Sequence, residues 1–241
     1  MGALAEVDPA AAIMIAIMPR NIQMSLADYI GKYWAGAQAI YSVIIAMTFT
    51  SVLRNYLAIP EEANFNVVSS ALFCCIAWGI ADGSFYAWER RYNLRLENEI
   101  IDISKSDQRK DSAIPLIMEQ LDDTILRNIN DETRIELYRN LVRHLATNGV
   151  KTRIAPRDAL YIMAGTLFVS TVSGLIVVIP FFLVDNLRFA LDISNCSGVF
   201  LLFIIGYYGT HERNLSDKVI SGLGTAIIGI IITVITILLG G

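Results

Sequence analysis

Two carboxylates, Asp82 and Asp192, stand inside long apolar runs, and five more acidic residues that could ligate an ion, Glu97, Asp102, Glu119, Asp122 and Asp123, stand in the polar stretch between those runs. A carboxylate within hydrocarbon costs at least ~2.5 kcal/mol on insertion scales, so it faces protein or a wet cavity and marks an ion or proton path. Asp82, flanked by Ala81 and Gly83 and followed by the Ser84 hydroxyl, is the stronger candidate. Asp192 is followed by Ser194, Asn195 and Ser197, a polar helix start near the opposite side of the membrane, so Asp82, Ser84 and Asp192 would be stations along a path and not one site. The carboxylates of the polar stretch are hard oxygen donors, and Glu119 with Asp122 or Asp123 has the three- or four-residue step that puts two of them on one helix face. An ordinary solvated face is the competing reading, because twelve Asp and Glu there meet thirteen Lys and Arg, with Arg127 four residues after Asp123 and Arg139 three after Glu136. Met47, Cys74 and Cys196 fall at mid-span depths and could offer soft ligands, although buried cysteine more often behaves as a small hydrophobe.

The elements that must position these groups are membrane helices. Hydrophobic residues make up 54% of the 241, charged residues 17%, against about a quarter charged in soluble domains. Runs at 33–57, 67–88, 159–184, 187–208 and 219–239 are each long enough to span, since about 20 apolar residues cross the hydrocarbon. The first carries Gln38, Ser42, Thr48, Thr50 and Ser51, and its one charge, Arg54, is near enough to an end to snorkel. Thirteen of the nineteen Lys and Arg residues fall between Glu89 and Arg157. Loops rich in these residues stay in the cytoplasm, which orients the chain with its N-terminus inside and its C-terminus outside.

The expected architecture is therefore an all-α integral membrane protein of five transmembrane helices, with a cytoplasmic helical domain between the second and third. Its parts are an interfacial helix or arm over 1–32, two spans over 33–88, the polar domain over 89–157 and three spans over 158–241. Within the polar domain, Ile114, Ile117, Leu121, Ile125 and Ile129 recur at helical steps, as do Ile135, Tyr138, Leu141, Val142 and Leu145 after an Asn130-Asp131 break. This predicts a helical hairpin, preceded by an extension of the second span to about Ile103. Gly149 sits where a helix end favours a left-handed residue.

Other features narrow the class. The N-terminal apolar run, Ala10 to Met18, follows Glu6 and Asp8 where a secretory signal would carry Lys or Arg, so it reads as a helix on the inner membrane face. With no targeting segment legible, a prokaryotic cell membrane is the expected home. No basic cluster suits nucleic acid, and no Ser/His/Asp set, phosphate loop or paired-histidine motif suggests an enzyme or a bound cofactor. Gly31, Ala35 and Ala39, Gly222 with Ala226, and Thr225 with Gly229 have the spacing of close helix contacts, with the partner either in this chain or in a second copy.

Taken serially, Ala81-Asp82-Gly83-Ser84-Phe85-Tyr86 running into Glu89-Arg90-Arg91, then Pro156-Arg157-Asp158-Ala159, Gly174 with Pro180, and a Gly-rich last span ending Leu239-Gly240-Gly241, resemble the vacuolar iron transporter family over roughly 67–241. The resemblance implies a homodimer in the lipid bilayer, with ferrous iron or manganese as substrate, exchanged for protons along a path between the copies. Cytoplasmic carboxylates, here Glu97, Glu119 and Asp123, would collect the ion, and Asp82 would handle it in the membrane. The first span lacks the family's carboxylate, and Ser84 and Ile80 stand where the family carries Glu and Met. A relative that binds, regulates, scaffolds or moves another solute is accordingly the alternative.

Overall fold

A computed structural model describes residues 32–53, 61–106, 108–121, 124–210 and 214–238. Among them every regular element is helical: α1 (Lys32–Val52), α2 (Glu61–Lys105), α3 (Lys110–Leu121), a 3-10 turn (Ile125–Asn128), α4 (Asp131–Asn148), α5 (Pro156–Val178), the short α6 (Pro180–Leu183), α7 (Leu187–Gly209) and α8 (Leu215–Leu238). Five of these, α1, α2, α5, α7 and α8, are long and apolar enough to cross a membrane. The protein is an all-α integral membrane protein. The expected segment over 1–32 lies, but for Lys32, outside the described residues, as do Arg54, Asp122 and Asp123.

The chain divides into two compact units, one built from residues up to Tyr86 and from Arg157 onward, the other from Ala87–Pro156. In the first, α7 packs against α8 and α1, and α8 against α1. Lipid tails are as apolar as leucine, so these helices gain little by hiding leucine from lipid and associate through close backbone approach and hydrogen bonds. Gly79 and Gly83 of α2 show this most directly. A Cβ at Gly79 would stand 2.8 Å from the Leu167 Cα of α5, and one at Gly83 would stand 2.9 Å from the Met163 Cα. The small residues of α8 are likewise spent within the chain, Gly222 against Phe203 and Gly229 against Leu202. The run expected as one span over 159–184 is broken, because Pro180 cannot continue the hydrogen-bond ladder and α5 gives way to α6 after Val178.

The second unit packs as a soluble domain does. Ile100 from α2, Ala113 and Ile117 from α3, and Tyr138 and Val142 from α4 form its core, with Ile114, Leu121, Leu141 and Leu145 against them. The first stripe is shorter than its periodicity suggested. α3 ends at Leu121, and the Thr124 hydroxyl caps the 3-10 turn that carries Ile125, so Ile129 falls beyond both. Asn130 then caps α4 by accepting from the Thr133 amide at 3.0 Å. Gly149 follows α4 with φ −61° and ψ 122°, so it is not left-handed. Glycine is needed there for room: a Cβ would collide with the Leu145 carbonyl oxygen and stand 2.9 Å from Ile101.

Candidate functional site

Asp82 lies on the face of α2 turned toward α1. One turn away on either side, Tyr86 stacks on Trp34 with centroids 4.7 Å apart and Trp78 meets the edge of Tyr41 at 6.2 Å. Residues 78, 82 and 86 share one face at four-residue steps, so the Asp82 carboxylate sits between two aromatic pairs, half-buried, at the level of Gln38 on α1. Asp82 makes no hydrogen bond or ion pair with any described residue, and both amide atoms of Gln38, which is 1% exposed, are also without a partner among them.

The neighbours expected beside Asp82 do other work. Gly83 makes room for α5 and not for an ion. Ser84 is two residues on, hence on another face, and its hydroxyl donates to the Ile80 carbonyl at 2.7 Å. Asp192 is exposed on α7. Met47 packs on Gly198, which puts Asp192 near the level of α1's last turn, about 24 Å along the bundle from Asp82 at 1.5 Å per residue. Met47 is buried against α7 while Cys196, two residues from Gly198, is exposed on the opposite side of that helix. The soft trio does not assemble.

Of the five candidate carboxylates of the polar stretch, the fold brings Glu97 and Glu119 to one groove. Glu97 and Glu119 line an open groove of about 570 Å³ with Arg90, Asn93, Glu99 and Gln120. Arg90 approaches Glu97 at 3.8 Å, both half-exposed. Asp102 points elsewhere, held by Lys151 at 2.7 Å, while Asn98 exchanges hydrogen bonds with Thr152 at 2.8 and 3.0 Å. These contacts hold the segment after α4 against α2. Among the described residues no three His, Cys, Asp or Glu side chains gather tightly enough to hold one ion.

Sequence reasoning counted Gln38 and Ser42 only as polar residues of a span. In the structure they begin a buried polar face. Ser42 and Ser170 lie 2.6 Å apart, the Ser170 hydroxyl also reaches the Cys75 carbonyl at 2.6 Å, and the Cys75 thiol donates to the Ser42 carbonyl at 3.5 Å. Since the single Ser170 proton goes to Cys75, Ser42 is the donor of the pair. Thr166, Ser170 and Ser173 on α5, all fully buried, repeat at four and three residues. That spacing, with Gln38 and Ser42 at four, was the available signal.

Fold and site together define a five-span helical membrane protein with an intramembrane carboxylate and a separate acidic groove. No family model matches this chain, and a search of curated proteins returns no match.

Proposed function

We propose that the chain is a transporter of divalent metal, iron or manganese, of the kind the vacuolar iron transporter resemblance implies, with Asp82 as the intramembrane ion station. The supporting observation is a carboxylate in a span, flanked by aromatic pairs and lacking a partner among the described residues. Such a group is tolerated in a bilayer beside water, a cation or a donor, so it gains most from the ion it carries. Glu97 and Glu119 would offer oxygen ligands to ions entering the groove, and exchange for protons at Asp82 would couple the movement. Two copies pairing in the bilayer, residues 89–157 in the cytoplasm and a prokaryotic cell membrane belong to this reading.

Uptake of manganese or ferrous iron into proteoliposomes tests it. Asp82→Asn keeps the size and removes the charge, so uptake should fall at least tenfold with the melting temperature unchanged; Asp192→Asn should change it less than twofold. Full uptake by Asp82→Asn, or none by the unmodified protein with either ion, ends the metal reading. Orientation has its own check: an impermeant thiol reagent applied from outside should label a cysteine at position 62 or 241 and spare one at 110.

A second reading, a relative that moves another solute or acts as a binding or scaffold protein, has specific support. Asp102 and Glu97 are engaged by Lys151 and Arg90, and Asp82 is flanked by aromatic pairs, surroundings that suit an organic cation better than a hard metal. Competition of the metal uptake by tetramethylammonium separates the two.

A further inference from the structure

The unpartnered polar atoms of the transmembrane unit are not scattered. Among the described residues the buried side-chain atoms without a hydrogen-bond partner there are Trp34 Nε1, both amide atoms of Gln38, Ser173 Oγ, Ser51 Oγ and Asn195 Oδ1. Their order follows the bundle axis. Trp34 is in the first turn of α1, and Gln38 is one turn further, about 6 Å along at 1.5 Å per residue. The Ser42–Ser170 pair is another turn on, and Ser173 is about 4.5 Å beyond Ser170 on α5. Val177 follows one turn later, its carbonyl accepting from Ser194 at 2.7 Å, and Asn195 is the next residue of α7. The contact of Met47 with Gly198 puts Ser51 at that same level.

From Trp34 to the level of Val177 and Asn195 the file covers about 22 Å, most of the ~30 Å of a hydrocarbon core. Each gap along it is about what one water bridges with two hydrogen bonds of ~2.8 Å. A buried amide or hydroxyl left unpaired costs a kcal/mol or more, and water held by two to four polar groups is how proteins remove that cost. Ser51, nine residues after Ser42, falls on the other side of α1 and lies outside the file. Thr166, Ser170, Ser173 and Val177 share one face of α5, with Gln38 and Ser42 opposite.

We propose that this file holds a line of water running through the interior of a single chain, and that the line conducts protons between the Asp82 level and the far end of the bundle. The resting hydroxyl of Ser170 points to the Cys75 carbonyl. Turning it toward Ser173 joins the two halves of the line, which makes Ser170 the switch point. In the relay the Ser170 hydroxyl, like each water, gains one O–H bond as it gives up another, so the protein is unchanged after each passage. Each water accepts one proton and passes on another, so one proton leaves for each that enters, and one charge crosses. The inference goes beyond the metal reading and needs no metal.

Proteoliposomes loaded with a pH-sensitive dye, chelator on both sides and a potassium-diffusion potential negative inside, measure this conduction directly. The unmodified protein should acidify the lumen faster than protein-free vesicles. Gln38→Leu and Ser173→Ala should each slow entry at least tenfold, while Gln38→Glu, which keeps the shape and a polar end able to hold water although it loses the amide N–H donors, should retain it. Should Gln38→Leu fail to fold, Ser173→Ala removes one hydroxyl only and carries the test. Entry no faster than protein-free vesicles, or unchanged entry in Ser173→Ala, overturns the proposal. Loss of metal uptake with proton entry intact counts against the metal reading alone.

Discussion

The transmembrane unit and the Ala87–Pro156 unit are both helical, yet they are held together by opposite means. The first joins α2 to α5 where side chains are missing, at Gly79 and Gly83, and buries hydroxyls such as Ser42 and Ser170 at its contacts. The second joins α2, α3 and α4 through large apolar side chains around a fully buried Tyr138. The difference follows the solvent. In water, hiding apolar surface is the main driving force, at about 25 cal/mol per Å². In lipid that force is absent, and close backbone packing with interhelical hydrogen bonds replaces it.

The sharpest way to break this comparison is at its apolar extreme. Tyr138→Ala should destabilise the polar unit by about 3 kcal/mol or more through the cavity it leaves. Hydrogen exchange on the full chain should then rise in α3 and α4 and stay unchanged in α5 and α7; equal loosening of both units would refute the division. Gly79→Val is the matching test on the other side. Overpacking costs about 1–3 kcal/mol, and the cost should be at the upper end here because the atom met is the Leu167 backbone. Thermal unfolding in detergent should show it, with exchange rising along α2 and α5. The smallest effect belongs to a surface feature. Asp102→Asn removes a partly exposed ion pair with Lys151, so it should cost under ~1 kcal/mol and should vanish as salt is raised.

The spans were legible because about 20 apolar residues in a row admit few other readings, and α2 through Lys105 was legible because its charged extension kept helical composition. Boundaries set by one residue were harder. Pro180 ends α5 inside a run that hydropathy alone reads straight through. Gly149 marked a helix end as expected, but its reasons are room beside the Leu145 carbonyl and beside Ile101, and the second is a contact 48 positions away that local sequence does not encode. Asp82 was found because a charge in an apolar run is conspicuous. Its surroundings were not, since Ser84 and Gly83 are neighbours in sequence only, whereas the groups at its level, Trp34, Gln38 and Tyr86, come partly from another helix. Glu97 and Glu119 stood out as oxygen donors, but that they share a groove with Arg90 follows from the packing of α3 on α2.

The bond between Ser42 and Ser170 joins positions 128 residues apart. A ribosome adding about 5–20 residues per second needs roughly 6–26 s to cover that distance. Throughout that interval α5 is incomplete, and for about its second half, after Lys105, α1 and α2 are both made. The Ser42 hydroxyl must meanwhile bond to a carbonyl of its own helix, as Thr50 does to Ala46, and the glycine notch of α2 is left to whatever lipid or helper protein is at hand. Arrival of α5 is therefore the step that commits the bundle, and a chain stopped before Pro156 should be recognised by the cell's quality control as unfinished.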